Sequence, residues 1–219
     1  MKRLPSLYVG FLVVATLVIG LEHLLVPPSA RAPMVALFSG SEYATNQLGA
    51  FAARPWLIGI HAASGVIFAS MVPLQLWRGL RAARPSWHAM TGWTFIIAAW
   101  CSAASGIGVA YAYPFAGRAA VIPNVISAIA IAGFTIAAVR SARRRDFGSH
   151  TRWMLRASAI GLGIALSRLY LPLLVQGFGL PPHEAMAQVF WLGSGTNLLL
   201  VEFWIVRKFA GKASGTRST

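Results

Sequence analysis

Six apolar runs, each long enough to cross a bilayer, decide most of what this chain can become. A helix rises about 1.5 Å per residue, so about 20 apolar residues span the hydrocarbon core. Runs of that length occupy residues 7–26, 55–77, 89–113, 119–139, 153–175 and 187–206. The expected fold is therefore all-α: one polytopic bundle of six transmembrane helices over residues 1–219. Residues 27–54 form the longest connection, and 207–219 a basic tail. The connection opens with Pro27-Pro28 and has room for a short interfacial helix over 32–38. Composition excludes the alternatives. The chain is 57% hydrophobic and 11% charged, whereas soluble domains carry about 25% charged residues. Too little polar surface remains for a soluble enzyme or a disordered tail. The lone Cys101 excludes an internal disulfide framework.

The charge balance gives the expected topology. Lys and Arg total 19 against 5 acidic residues, a net charge of +14. In a soluble chain this excess would suggest nucleic acid, but here the basic residues sit between the apolar runs. Lys2, Arg3, Arg78, Arg81, Arg84, Arg140, Arg143, Arg144, Arg145, Arg152, Arg207, Lys208, Lys212 and Arg217 fall on one side. Only Arg31, Arg54 and Arg118 fall on the other. The positive-inside rule then puts both termini in the cytoplasm, with the lipid bilayer as the first partner and nucleic acid excluded. Lys2-Arg3, the first run and Ala30-Arg31-Ala32 also resemble a signal peptide with its cleavage site. The length of the run, with Glu22 and His23 inside it, favours a retained helix.

Ionisable side chains inside a bilayer are costly, and they mark functional sites by default. Counted along their spans, Glu22, His23, His61 and Arg168 share an outer level. His88, His150, Arg152, Arg156, Gln75 and Glu202 share an inner one. Positions 61, 65, 68, 72 and 75 lie on one helical face, so that face carries His61 at one end and Gln75 at the other. His150 and Arg168 are five turns apart and share a face if the fifth helix is straight. Between them Ala157, Gly161 and Ala165 form a small-xxx-small stripe suited to close helix packing. Desolvation predicts two ion pairs, Glu22 with Arg168 and Arg156 with Glu202.

Histidines on facing helices can ligate haem iron. His88 with His150 would be the inner pair, serving haem or another metal, and His61 with His23 the outer pair. Arg152 and Arg156 would compensate anionic groups of such a cofactor. Glu22, Arg168 and Gln75 are the expected substrate contacts. His183, after Pro181-Pro182, reads as a helix-start residue. No phosphate loop, nucleophile elbow or zinc-protease motif is present.

Four features together resemble the bacterial membrane proteins grouped as domain of unknown function 2306. They are His61 with Gly65 in a span ending Pro73-Leu74-Gln75; an arginine-bearing loop leading to His88 and Gly92; His150-Thr151-Arg152-Trp153-Met154 with Arg156; and Arg168 in the following helix. Ala89 departs from the family's usual Arg. The resemblance implies a multi-span protein of the bacterial inner membrane and no established activity. The paired histidines are also similar in arrangement to those of di-haem membrane cytochromes of the b type. The leading expectation is transmembrane electron transfer, linked to haem b or to a quinone. The alternatives are a non-redox protein that binds or transports a small molecule or ion at the outer polar level, and an accessory subunit of a membrane complex.

Overall fold

The structure is a computed structural model that describes residues 4–112 and 118–214. Lys2, Arg3, Tyr113 and Arg217, which entered the sequence reading, lie outside these residues, as do the side chains of Arg118, Lys208 and Lys212. Every described segment is helix or a short connection, with no strand among the described residues. The helices are α1 (Leu4–Leu25), α2 (Pro28–Ser39), α3 (Ser41–Ala53), α4 (Pro55–Leu76), α5 (Arg78–Ala83), α6 (Pro85–Ala112), α7 (Val121–Arg143), α8 (Phe147–Gly161), α9 (Gly163–Pro172) and α10 (Pro182–Ser214). Among the described residues six spans are long and apolar enough to cross a membrane, with α8 and α9 stacked into one of them. Their exposed faces are lined by large apolar residues such as Val18, Ile97, Ile129 and Leu199. Only lipid tails accommodate so continuous an apolar surface.

Local sequence explains most helix starts. Pro28, Pro55, Pro85 and Pro182 stand at the first helical position, where a missing N–H costs nothing and the fixed φ suits the helix. α8 is capped instead by Asp146, whose carboxylate accepts the Ser149 N–H at 2.9 Å. These starts correct three expected boundaries: the third span begins at Pro85, the fifth at Phe147 and the sixth at Pro182. His88 and His150 are thereby inside the first turns of helices rather than ahead of them.

The 27–54 connection is also more ordered than its turn-forming residues suggest. It is a pair of helices, α2 and α3, hinged at Gly40. Gly40 has φ +87°, a conformation that a side chain would strain. Tyr43, Gln47, Leu48 and Phe51 on α3 are buried against the bundle, as is Arg31 on α2.

α4 packs against both α1 and α6, α7 against α8, and α9 against α10. The core between them is centred on Leu12, Phe68, Val72, Phe95 and Leu162. The Phe68 and Phe95 rings stand 4.8 Å apart. α1 takes part fully: Leu12 is 2% exposed, and the Tyr8 hydroxyl donates to Asn197 Oδ1 on α10.

The fifth span is not straight. It breaks at Leu162, between Gly161 and Gly163, and loosens again into a π-turn over Leu173–Gly177 after Pro172. Two glycines weaken the helix at the first point, and proline removes a ladder donor at the second. Both glycines also allow close approach. A Cβ on Gly161 would meet the Phe68 ring at 2.4 Å, and one on Gly163 would meet the Ser194 backbone N at 2.8 Å. The expected shared face of His150 and Arg168 assumed a straight helix; the two line different cavities.

Candidate functional site

Two cavities stand out among the described residues. The main one, of about 240 Å³, lies between α1, α3, α4, α6, α7, α8, α9 and α10. Its wall is mostly apolar; besides a threonine and several serines, His23, His61, Gln47, Asn124 and Arg168 bring the larger polar groups. Each is delivered by a different helix, so the site exists only once the bundle has closed.

The two histidines are oriented alike. His61 Nδ1 lies 3.0 Å from the Ser102 carbonyl oxygen and 3.3 Å from Ser105 Oγ. His23 Nδ1 lies 2.8 Å from the Ile19 carbonyl oxygen. A carbonyl only accepts, so Nδ1 carries the hydrogen in both rings and, in the neutral imidazole, Nε2 is left as an acceptor. Small residues make room for the His61 ring: a Cβ on Gly106 would stand 3.1 Å from its Cε1. Asn124 Nδ2 donates to the Ala120 carbonyl at 2.7 Å, which leaves Oδ1 open. Among the described residues Arg168 forms no hydrogen bond or ion pair.

The expected Glu22–Arg168 pair is therefore absent among the described residues, and Glu22 does not line the cavity. Arg31, which sequence reading used only for topology, is a second arginine under the influence of Glu22. It is 4% exposed on α2, and Glu22 acts electrostatically on both arginines without touching either. Burial pushes the Arg31 guanidinium below its ordinary value, with Glu22 pulling it back. Burial likewise raises the Tyr43 phenol, against the pull of Arg168. Two buried arginines facing one acid leave this end of the bundle with a positive excess.

The second cavity, of about 180 Å³, lies at the arginine-rich end. It is lined by His88, His150 and Gln75, all assigned to the inner level, and by Arg78 and Arg81. His150 Nδ1 donates to the Ala138 carbonyl at 3.0 Å. Gln75 Nε2 donates to the His88 carbonyl at 3.1 Å and to Thr91 Oγ1 at 2.7 Å, which ties α4 to α6. Arg152 and Arg156, expected to compensate a cofactor's anionic groups, do not line this cavity. Arg152 instead donates to Ser149 Oγ at 2.6 Å. Arg156 forms the predicted pair with Glu202, from Nε at 2.5 Å and from Nη2 at 2.8 Å, and lies 4.6 Å from the Trp153 ring. No group of three metal-ligating side chains occurs among the described residues.

The model of the family described as predicted membrane protein, domain of unknown function 2306, matches residues 58–205. The chain belongs to that family. The match covers more than half of the chain and contains His61, His88, His150, Arg156 and Arg168, so both cavities draw on the family's region. His23, Gln47 and Phe51 come from the segment before it. Comparisons with curated proteins and with solved structures found no match.

Sequence reading missed Asn124 and Gln47 at the main cavity, the burial of Arg31 on α2, and Arg78 and Arg81 at the second cavity. Asn124 had a signal: an amide just inside an apolar run, after Pro123. The arginines had none, because a loop arginine reads the same whether it points into a cavity or into water.

Proposed function

We propose that this integral membrane protein binds a quinone-class molecule in its main cavity. The observation that carries this reading is the set of groups converging there: two imidazoles anchored through Nδ1, the unpaired Arg168, and an apolar wall. A hydroquinone meets each need. Its ring and tail suit the apolar lining, one hydroxyl donates to Nε2 of His61, and the other oxygen accepts from Arg168. Sites of this kind are largely apolar with a few placed polar groups. The location that accompanies this reading is a bacterial inner membrane with both termini in the cytoplasm, which the arginine distribution supports.

The test is a titration of purified protein with a short-tailed quinol, followed by quenching of tryptophan fluorescence. Arg168→Ala and Gly106→Val are expected to weaken binding about tenfold or more, since a charge-assisted hydrogen bond contributes about 1.5–3 kcal/mol. Equal affinity in wild type and both variants would overturn the proposal.

A second reading has its own observation. His88 and His150 line one cavity, His23 and His61 another, and bis-histidine haem ligation needs two imidazoles. Haem b would make the protein a transmembrane electron carrier. A reduced-minus-oxidised spectrum after haem-replete expression decides it. A Soret shift lost on His150→Leu supports haem, and a featureless spectrum removes it.

A further inference from the structure

The second cavity is lined by Arg78, Arg81, His88 and His150, and no acidic residue lines it. We propose that it binds a phosphate-type anion, carried by an anionic lipid headgroup or free in solution.

Its cationic groups are not engaged elsewhere. Among the described residues Arg78 and Arg81 form no ion pair. Both come from α5, the six-residue helix between two spans, and they stand at the mouth of the cavity. The Arg156–Glu202 pair shows how this protein treats a basic group that serves structure: it gives it a carboxylate. The arginines of α5 have been given none. Deeper in the cavity, His88 Nδ1 is buried without a hydrogen-bond partner. A buried polar atom left unpaired costs about 1–3 kcal/mol and calls for an occupant that can pair with it. A phosphate oxygen accepts from a ring N–H, and a protonated phosphate can also donate. His150, fixed through Nδ1 by the Ala138 carbonyl, lines the same cavity. Gln75 is held against α6 by its two donated bonds, which keeps the cavity from collapsing.

The surroundings fit a headgroup. Leu76, Met154 and Leu155 supply an apolar wall next to the cationic groups, as the glycerol and upper acyl chain of a phospholipid require. The arginines sit at helix ends, where headgroups lie. Basic pockets between membrane helices bind anionic headgroups in this way. A quinone is a poor occupant, since it has no charge to offer two arginines.

The experiment uses the full chain in nanodiscs of neutral phosphatidylcholine. One arm replaces part of the lipid with phosphatidylglycerol, the other adds inorganic phosphate at constant ionic strength, and the thermal unfolding midpoint is followed in each. A saturable rise in either arm supports the site, and the arm that responds names the source. Arg81→Gln and Arg78→Gln are each expected to raise the half-saturating concentration about fivefold. Arg143→Gln, at the same end of the bundle but outside the cavity, is expected to leave it unchanged. Absence of a rise in both arms overturns the proposal. So does an equal effect of all three variants, which would mean diffuse surface charge. A Soret band in the isolated protein that is lost on His150→Leu also overturns it, because haem would then hold the cavity.

Discussion

Replacing Gly193 by alanine should separate α9 from α10 and destabilise the protein by about 2–4 kcal/mol. A Cβ at Gly193 would lie 2.4 Å from the Gly163 carbonyl oxygen and 2.5 Å from Ser167 Oγ. Close carbon–oxygen contacts run at about 3.3–3.6 Å, so the two helices must part by about 1 Å. Overpacking of this kind costs about 1–3 kcal/mol. The bond from Ser167 Oγ to the Val189 carbonyl, 2.8 Å long, spans the same joint; losing it adds about 1 kcal/mol. Gly195 is the internal control. It lies on the same helix, and a Cβ there would meet nothing within 4 Å. Gly195→Ala should instead stabilise by about 0.5–1 kcal/mol through helix propensity. Denaturation with SDS in mixed micelles, followed by far-ultraviolet circular dichroism, measures both. Arg168 adjoins Ser167, so Gly193→Ala should also weaken the ligand bound in the main cavity, whereas Gly195→Ala should not. If the two variants unfold within about 0.5 kcal/mol of each other, the close α9–α10 joint is refuted.

Three further outcomes follow from single contacts. Arg156→Leu leaves Glu202 without its partner and should destabilise by about 1 kcal/mol, since the pair is partly exposed. The double change Arg156→Leu with Glu202→Leu should recover most of that loss, as replaced ion pairs often do; no recovery in the same denaturation assay would refute the pairing. Asn197 is 1% exposed, donates to the Ala159 carbonyl at 3.0 Å and accepts from Tyr8, so Asn197→Ala should cost about 1–2 kcal/mol and Tyr8→Phe about half as much. The Asp146 carboxyl is held below its ordinary value by hydrogen bonds from Ser149, the hydroxyl first and the backbone N–H second. A depressed carboxyl stabilises the folded state above its unfolded pKa and loses that contribution as pH falls through the folded one. The stability difference between wild type and Asp146→Ala, measured from pH 7 downward, should therefore hold until the carboxylate range and then shrink. An unchanged gap in strong acid would refute the cap.

The candidate site was legible in part. Counting residues along spans put the histidines at two depths, because a helix converts sequence position into depth, and those at each depth line one cavity. Arg156–Glu202 was legible for the same reason. Glu22–Arg168 was not, because shared depth does not make two side chains meet. Arg152 and Arg156 share the inner level with His88 yet miss its cavity, since depth says nothing about which way around the helix axis a side chain points.

Sequence by itself determined the class: six apolar runs leave backbone amides no partner but their own helix, so a helical membrane bundle is the only outcome. It also placed the ionisable groups in two layers. Tertiary structure alone decided the rest. The break at Leu162 depends on what Gly161 and Gly163 meet, the burial of Arg31 on how α2 and α3 fold over the bundle, and the free lining of each cavity on which side chains find partners first. These are contacts between residues far apart in the chain, and no local periodicity encodes them.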